Sequence, residues 1–233
     1  MPHPDDNEVG AGGTIAKLAA KGAKVAYLGV TDGGGGTMDP SQSAEYLAHL
    51  RRREQQAAAK LLGVEAIEWL GYRDGAGLPP DELRRKILGV IRRVRPDFVL
   101  TVDPWLPYEA HQDHRATGLA VAEACLLSAF PNIEADPAAT GLAPHAVTAV
   151  AFYATAAPNQ YVAIDEQTWS RRLEAVRLHE SQFPGQVFQM YAMYIDGKCR
   201  DYAAAAGGGA TWAEAFKVLT PLHLHMNVDA AAM

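Results

Sequence analysis

Four short runs rich in Val, Ile and aromatic residues are spaced along the chain: KVAYLGV (24–30), AIEWLGY (66–72), DFVLTVD (97–103) and AVTAVAFYAT (146–155). Each is too short for a buried helix, and each reads as a buried strand. Helical patterns lie between them. GGTIAKLAAKG places Ile15, Leu18 and Ala19 at helical spacing before a Gly22 stop, SAEYLAHLRRREQQAAAKLLG runs from a serine cap to Gly63, and PDELRRKILGVIRRVRP ends at a proline. A later stretch, DEQTWSRRLEAVRLHESQF, is amphipathic, and AEAFKVL leads into a last edge strand. Strand and helix in alternation predict an α/β fold, a Rossmann-like and mostly parallel sheet with helices on both faces. With 233 residues and 48% hydrophobic content, one core and a single domain over 1–233 are expected. AAAAGGG at 203–209 reads as a mobile surface segment, and MYAMYI (190–195) is explained as readily by core packing as by a contact surface.

Charge and cysteine usage exclude several classes. The formal net charge is −6 and the 21 Lys and Arg residues are dispersed, which leaves no footprint for nucleic acid and points to a small-molecule partner. Cys125 and Cys199 lack CxxC spacing, so neither a disulfide framework nor a thiolate zinc site is expected. No apolar run approaches the roughly 18 residues of a membrane span, and the cytoplasm is the expected compartment.

In a parallel sheet covered by helices, ligands bind in the loops beyond the carboxyl ends of the strands. Those loops are TDGGGGTMDPS, RDGAGLPP and PWLPYEAHQDHR, and HPDD joins them at one sheet edge if it too follows a strand. The four glycines suit a mobile or closely approached rim. Catalytic zinc takes three ligands from His and Asp or Glu and keeps a position open for water. His3, one of Asp5 and Asp6, and one histidine of HQDH make such a set. His111 and His114 are three residues apart, so on a helical turn both face one cleft, one for metal and one as proton donor. Adjacent aspartates in an extended segment point in different directions, which assigns one to metal and one to water. Gly10, Gly12 and Gly13 lack the full GxGxxG spacing and are read as points of close helix approach.

HPDDNEVGAGGTIAKLAAKG, VTDGGGGT, RRREQQAAAKLLGV, LGYRDG and HQDHRATG together resemble the LmbE or PIG-L family of zinc-dependent N-deacetylases, over nearly the whole chain. DPWLPYEAHQDHRATG, LHESQFPG and AEAFKVLTPLHLH resemble, within it, the diacetylchitobiose deacetylases. The resemblance implies His3, Asp6 and His114 as zinc ligands and Asp5 as general base. It implies His111 as proton donor to the leaving amine or support for the oxyanion, with Asp113 either holding an imidazole or capping the helix at 113–116. Arg51 and Asp74 are expected to bind sugar hydroxyls or the adjoining group, and Tyr108 and Trp105 either line the sugar site or pack. Arg52 and Arg53 are expected on a solvated helix face.

The implied substrate is N-acetylglucosamine in small chitin-derived sugars. The alternatives are a thiol-cofactor precursor, an acylated natural product, or a catalytically silent sugar-binding relative. A homo-oligomer, trimer or hexamer, is implied as well. Two departures from the family pattern stand out. Gln112 occupies a spacer where proline is usual, and only Met1 and Pro2 precede HPDD where the family has an apolar strand. A natural start upstream of Met1 is the expected explanation for the second, and a fully paired sheet built by 1–233 alone would contradict it.

Overall fold

The computed structural model describes residues 1–233. It is an α/β chain whose backbone groups into two compact units, Met1–Ala76 with Tyr161–Ala215, and Gly77–Gln160 with Phe216–Met233.

In the first unit, β1 (Ala26–Thr31) and β2 (Ala66–Tyr72) pair in parallel, joined by α2 (Ala44–Leu62). The Ser43 side chain accepts from the Tyr46 N–H at 3.2 Å, and Gly63 closes α2 at φ 84°. Both ends are as the sequence predicts, because a hydroxyl satisfies an orphan N–H and glycine accepts the left-handed closing turn freely. A Cβ on Gly29 would run into the Trp69 ring, so glycine is what lets that indole cross β1. Arg52 lies 5.1 Å over the same indole.

Before β1, helix α1 (Asp6–Ala20) breaks at Ala11, where φ is −148°. The interior N–H groups freed there donate to the buried Glu214 carboxylate, Gly13 at 2.8 Å and Thr14 at 2.7 Å. Arg172, from α5 (Glu166–Arg177), pairs with Glu214 at 2.9 Å and donates to the Val9 carbonyl on the other side of the break. The glycines of GAGG are therefore points of close approach. A Cβ at Gly12 would stand 3.1 Å from the Arg172 Cγ, and one at Gly13 would stand 2.9 Å from Glu214. Helix α6 (Gly185–Ala206) completes the unit through a cluster of Ile164, Trp169 and Cys199, with Trp169 and Trp212 stacked at 5.1 Å.

In the second unit, β3 (Phe98–Val102) runs parallel to β4 (Ala149–Tyr153). β4 pairs antiparallel with the end of β6 (Trp212–Leu219), Val150 opposite Leu219. α3 (Pro80–Val94) packs on α4 (Gln112–Leu127), which lies against β3. A Cβ at Gly118 would meet the Val102 carbonyl at 2.7 Å, so α4 is held at glycine distance from the strand that precedes the HQDH loop. Arg92 of α3 donates to the Ser128 and Phe130 carbonyls, at 3.2 and 2.7 Å, and fixes the far end of α4.

One sequence expectation changes, and two segments are divided. β6 is not an edge strand, since it lies between β4 and β5 (Gln160–Ile164), and β5 itself is announced by only four apolar residues, 161–164. The 203–209 segment divides at Gly207. Its alanines form the last turn of α6, and Gly207 closes that helix at φ 70°. MYAMYI divides, since Met190, Met193 and Tyr194 are 68, 78 and 65% exposed while Ile195 packs on the Ile164, Trp169 and Cys199 cluster.

Candidate active site

In the first unit, the Met1 and Pro2 carbonyls accept from the Val30 and Thr31 N–H groups at 3.0 and 2.9 Å, which ties the segment before HPDD to β1. His3 follows and is buried between two carboxylates. Its Nδ1 is 3.3 Å from Asp6 and its Nε2 is 3.2 Å from Asp74. Burial works against an imidazolium here. The hydrogen bonds to Asp6 and Asp74 outweigh it and hold the His3 pKa up to about 10. The same contact with His3 draws the Asp74 carboxyl below its ordinary range.

Asp5 is the N-cap of α1 and sits at φ 102°, a conformation that L residues rarely adopt. Its backbone N–H donates to Gln55 Oε1 at 2.8 Å, and its carboxylate meets Arg51 at 3.1 Å. Burial, reinforced by the charge of Asp6, raises the Asp5 pKa to about 7 against the opposing pull of Arg51. That value suits a group that takes and returns a proton near neutrality.

Arg51, expected to face a sugar, is turned inward. It is buried and donates to the Gly33 and Pro4 carbonyls at 2.9 and 2.6 Å as well as to Asp5. Its fork ties the glycine loop to HPDD. A Cβ at Gly33 would stand 2.9 Å from the guanidinium, and φ there is 69°, so the glycine run is a closely approached rim rather than a loose one. Arg52 and Arg53 are exposed on α2, as expected.

Asp32 is a residue that motif reading passes over. Its Oδ1 accepts from Gly34 N at 2.9 Å and Asp74 N at 3.1 Å, and so joins the loops after β1 and β2. The signal was local, an aspartate directly before glycine, the usual start of a side-chain-closed turn.

In the second unit, α4 begins one residue after His111, which is its N-cap. The capping role expected of Asp113 thus belongs to His111. Asp113 lies in the first turn, where its carboxylate is favoured by the helix dipole, and it is fully buried. The Asp113 N–H donates to His111 Nδ1 at 3.3 Å. With Nδ1 accepting, the proton of a neutral His111 sits on Nε2.

His114 has the opposite tautomer. Its Nδ1 is 3.2 Å from the Glu109 carboxylate, which only accepts, so Nδ1 carries the proton and Nε2 keeps a lone pair. Glu109 also accepts from the His111 N–H at 2.7 Å and is therefore the organiser of the loop. No spacing rule singled it out, although a carboxylate behind a ligating histidine is a recurrent arrangement. The two rings stack at 4.9 Å. The aromatic pair divides. Trp105 packs edge-on against Phe152 at 5.5 Å, whereas Tyr108 is fully exposed at φ 66°.

The structure thus gathers His3, Asp5, Asp6, Arg51 and Asp74 in one unit, and His111, Asp113 and His114 around Glu109 in the other. The His114 imidazole, oriented through Nδ1 by Glu109, and the His3 imidazole, flanked by two carboxylates, are donors of the kind a zinc-type cation takes.

Comparison with known proteins gives these residues a family. The family model for GlcNAc-PI de-N-acetylase, PIG-L, matches residues 1–125. The chain is 40% identical to a diacetylchitobiose deacetylase of Thermococcus kodakarensis, over 97% of its own length and 83% of that protein. It is 31% identical to a probable N-acetyl-alpha-D-glucosaminyl L-malate deacetylase of Bacillus anthracis, over 84% of the chain and 85% of the relative. Among solved structures, the N,N'-diacetylchitobiose deacetylase of Pyrococcus horikoshii superposes with a TM-score of 0.92 at 38% identity, covering 100% of this chain and 86% of that one. On the match over residues 1–125 and the 40% identity over 97% of its length, the chain belongs to the PIG-L family of de-N-acetylases.

Proposed function

We propose that the chain, acting as one deacetylase domain, removes the N-acetyl group from N-acetylglucosamine units of small chitin-derived sugars such as diacetylchitobiose. The observation that carries this reading is 40% identity across nearly the whole chain to an enzyme named for that substrate. The family is metal-dependent, and the chain's His and Asp groups suit a cation. Zinc is the ion we propose, held by His3, Asp6 and His114. When bound, it supplies Lewis-acid polarisation of the amide carbonyl and lowers the pKa of water.

The remaining steps belong to side chains. Asp5 accepts the proton of the attacking water. His111 supports the developing oxyanion through its Nε2–H or passes a proton to the leaving amine, the proton that Asp5 took from water making good the one given up, and Asp113 fixes its tautomer through the backbone N–H. Asp74 and exposed Tyr108 are proposed to contact the sugar, while Arg51 supports the site through Pro4 and Asp5.

Amine release from N-acetylglucosamine, diacetylchitobiose and an N-acetylglucosaminyl malate tests the reading. Turnover of the chitin-derived sugars is expected to dominate. Preference for the malate conjugate would transfer the chain to the substrate class of its Bacillus relative, and no turnover with stoichiometric metal bound would make it a silent relative.

A ligating histidine must be neutral, whereas the metal-free protein holds His3 protonated up to about 10. The proton contributes to apo-protein stability in full below the ordinary imidazole pKa, and that contribution is lost as pH rises toward 10. Metal must displace it. Calorimetry in buffers of different ionisation heat is expected to show about one proton released per ion between pH 7 and 9, with affinity rising up to tenfold per pH unit. Absence of proton release would remove His3 from the ligand set.

No helix is long and apolar enough to cross a membrane. With two free buried cysteines, this supports a cytoplasmic location. The face of α6 that carries Val187, Met190 and Tyr194 at helical spacing, with Met193 beside it, supports assembly into a trimer or hexamer. Light scattering is expected to give a multiple of 25.0 kDa that Met190→Glu with Met193→Glu reduces. A monomeric wild-type chain would count against it.

A further inference from the structure

A buried polar chain behind Asp5 has no part in the chemistry above. Glu8, Gln55 and His179 come from α1, α2 and the segment after α5, and all three are 0% exposed. Gln55 Oε1 accepts from the Asp5 N–H at 2.8 Å, and Gln55 Nε2 donates to Glu8 Oε1 at 2.9 Å. The other Glu8 oxygen lies 3.4 Å from His179 Nε2. None of these contacts is needed to build a helix.

We infer that Gln55, oriented from behind by Glu8 and His179, is the positioning residue that holds Asp5 in its working conformation. The left-handed backbone at Asp5 is strained and persists only where the surroundings over-determine it. The N–H of an N-cap residue has no partner within its helix. Gln55 provides that partner. A glutamine amide can ordinarily flip, which would turn its NH2 group toward the Asp5 N–H and push it away. The flip is blocked here, because Glu8 Oε1 accepts from Gln55 Nε2 at 2.9 Å and so fixes the amide nitrogen on its own side. His179, with its Nε2 3.4 Å from the other Glu8 oxygen, backs the carboxylate from the far side. Asp5 is thereby aimed by groups from three separate segments, and an error of about 1 Å in such aim costs on the order of 10²-fold in rate.

This inference rests on Asp5 being the base, and a double-mutant cycle separates the two claims. In the metal-loaded protein, Gln55→Met is expected to lower kcat 10- to 100-fold with KM changed less than about threefold and metal stoichiometry unchanged. In an Asp5→Asn background the same substitution is expected to cost less than about threefold, because there is no base left to aim. An equal loss in both backgrounds would make Gln55 merely structural and overturn the inference. So would an unchanged kcat for Gln55→Met in a protein that Asp5→Asn inactivates. A fully active Asp5→Asn would instead sink the assignment of the base. If Gln55→Met does not fold, Glu8→Gln serves in the same cycle. It keeps the acceptor but frees the amide to flip, and a several-fold loss confined to the Asp5 background is expected, with an equal loss in both backgrounds counting against the inference.

Discussion

Asp5→Asn is expected to lower kcat for amine release by on the order of 10³-fold while the protein keeps its metal and its melting temperature. The magnitude follows from the removal of a general base, which contributes about 10²- to 10⁴-fold. The preservation of the fold follows from the backbone. Asparagine tolerates the left-handed region as well as aspartate does, so the φ of 102° is retained, and the N–H that Gln55 receives is unchanged. Arg51 loses a charged partner but keeps the Gly33 and Pro4 carbonyls. Steady-state kinetics, elemental analysis and thermal melting on one preparation check all three parts. A kcat within a few-fold of wild type would remove Asp5 from the role of base.

Arg172→Met is expected to destabilise the fold by about 3–5 kcal/mol, the cost of stripping one partner from a buried ion pair. For a chain of this size that is a fall in melting temperature on the order of 10 °C. Burial disfavours the Arg172 charge, yet Tyr191 and Glu214 raise its pKa further, so the guanidinium stays ionised inside the protein. It touches Glu214, the Val9 carbonyl, Cys199 and Tyr191, and it lies on both sides of the break in α1. Without it, Glu214 still receives two N–H groups but is left as an uncompensated buried carboxylate. Adding Glu214→Gln to Arg172→Met should recover part of the loss, since a neutral amide removes the uncompensated charge and its one oxygen still accepts from Gly13 or Thr14. A melting temperature that moves less than about 2 °C for the single variant would show that the α1 break does not depend on this pair.

Local rules were a sound guide wherever the physics is local. The apolar runs at 66–72 and 97–103 are strands β2 and β3, and α2 begins and ends at the serine and glycine that capping predicts. The helix α6 was not legible, because its glycines and its exposed methionines and tyrosines imitate neither an amphipathic face nor a buried one. Strand β5 was missed for a related reason, since its five residues alternate too weakly to declare a side.

The amino-acid sequence by itself determined the α/β class and the caps of α2, and it put forward the candidate reactive groups, His3, Asp5, Asp6, His111 and His114. The first two follow from periodicity and capping chemistry, the third from motif spacing together with the family resemblance. Tertiary structure alone decided how those groups are prepared. Glu109 sets the tautomer of His114, Arg51 faces Asp5 and not solvent, Gln55 meets an N–H 50 residues away, and Glu214 closes a helix break 201 residues away. The reason is that spacing along a chain fixes which face a side chain takes, whereas the partner it meets is fixed only when distant segments are packed against one another.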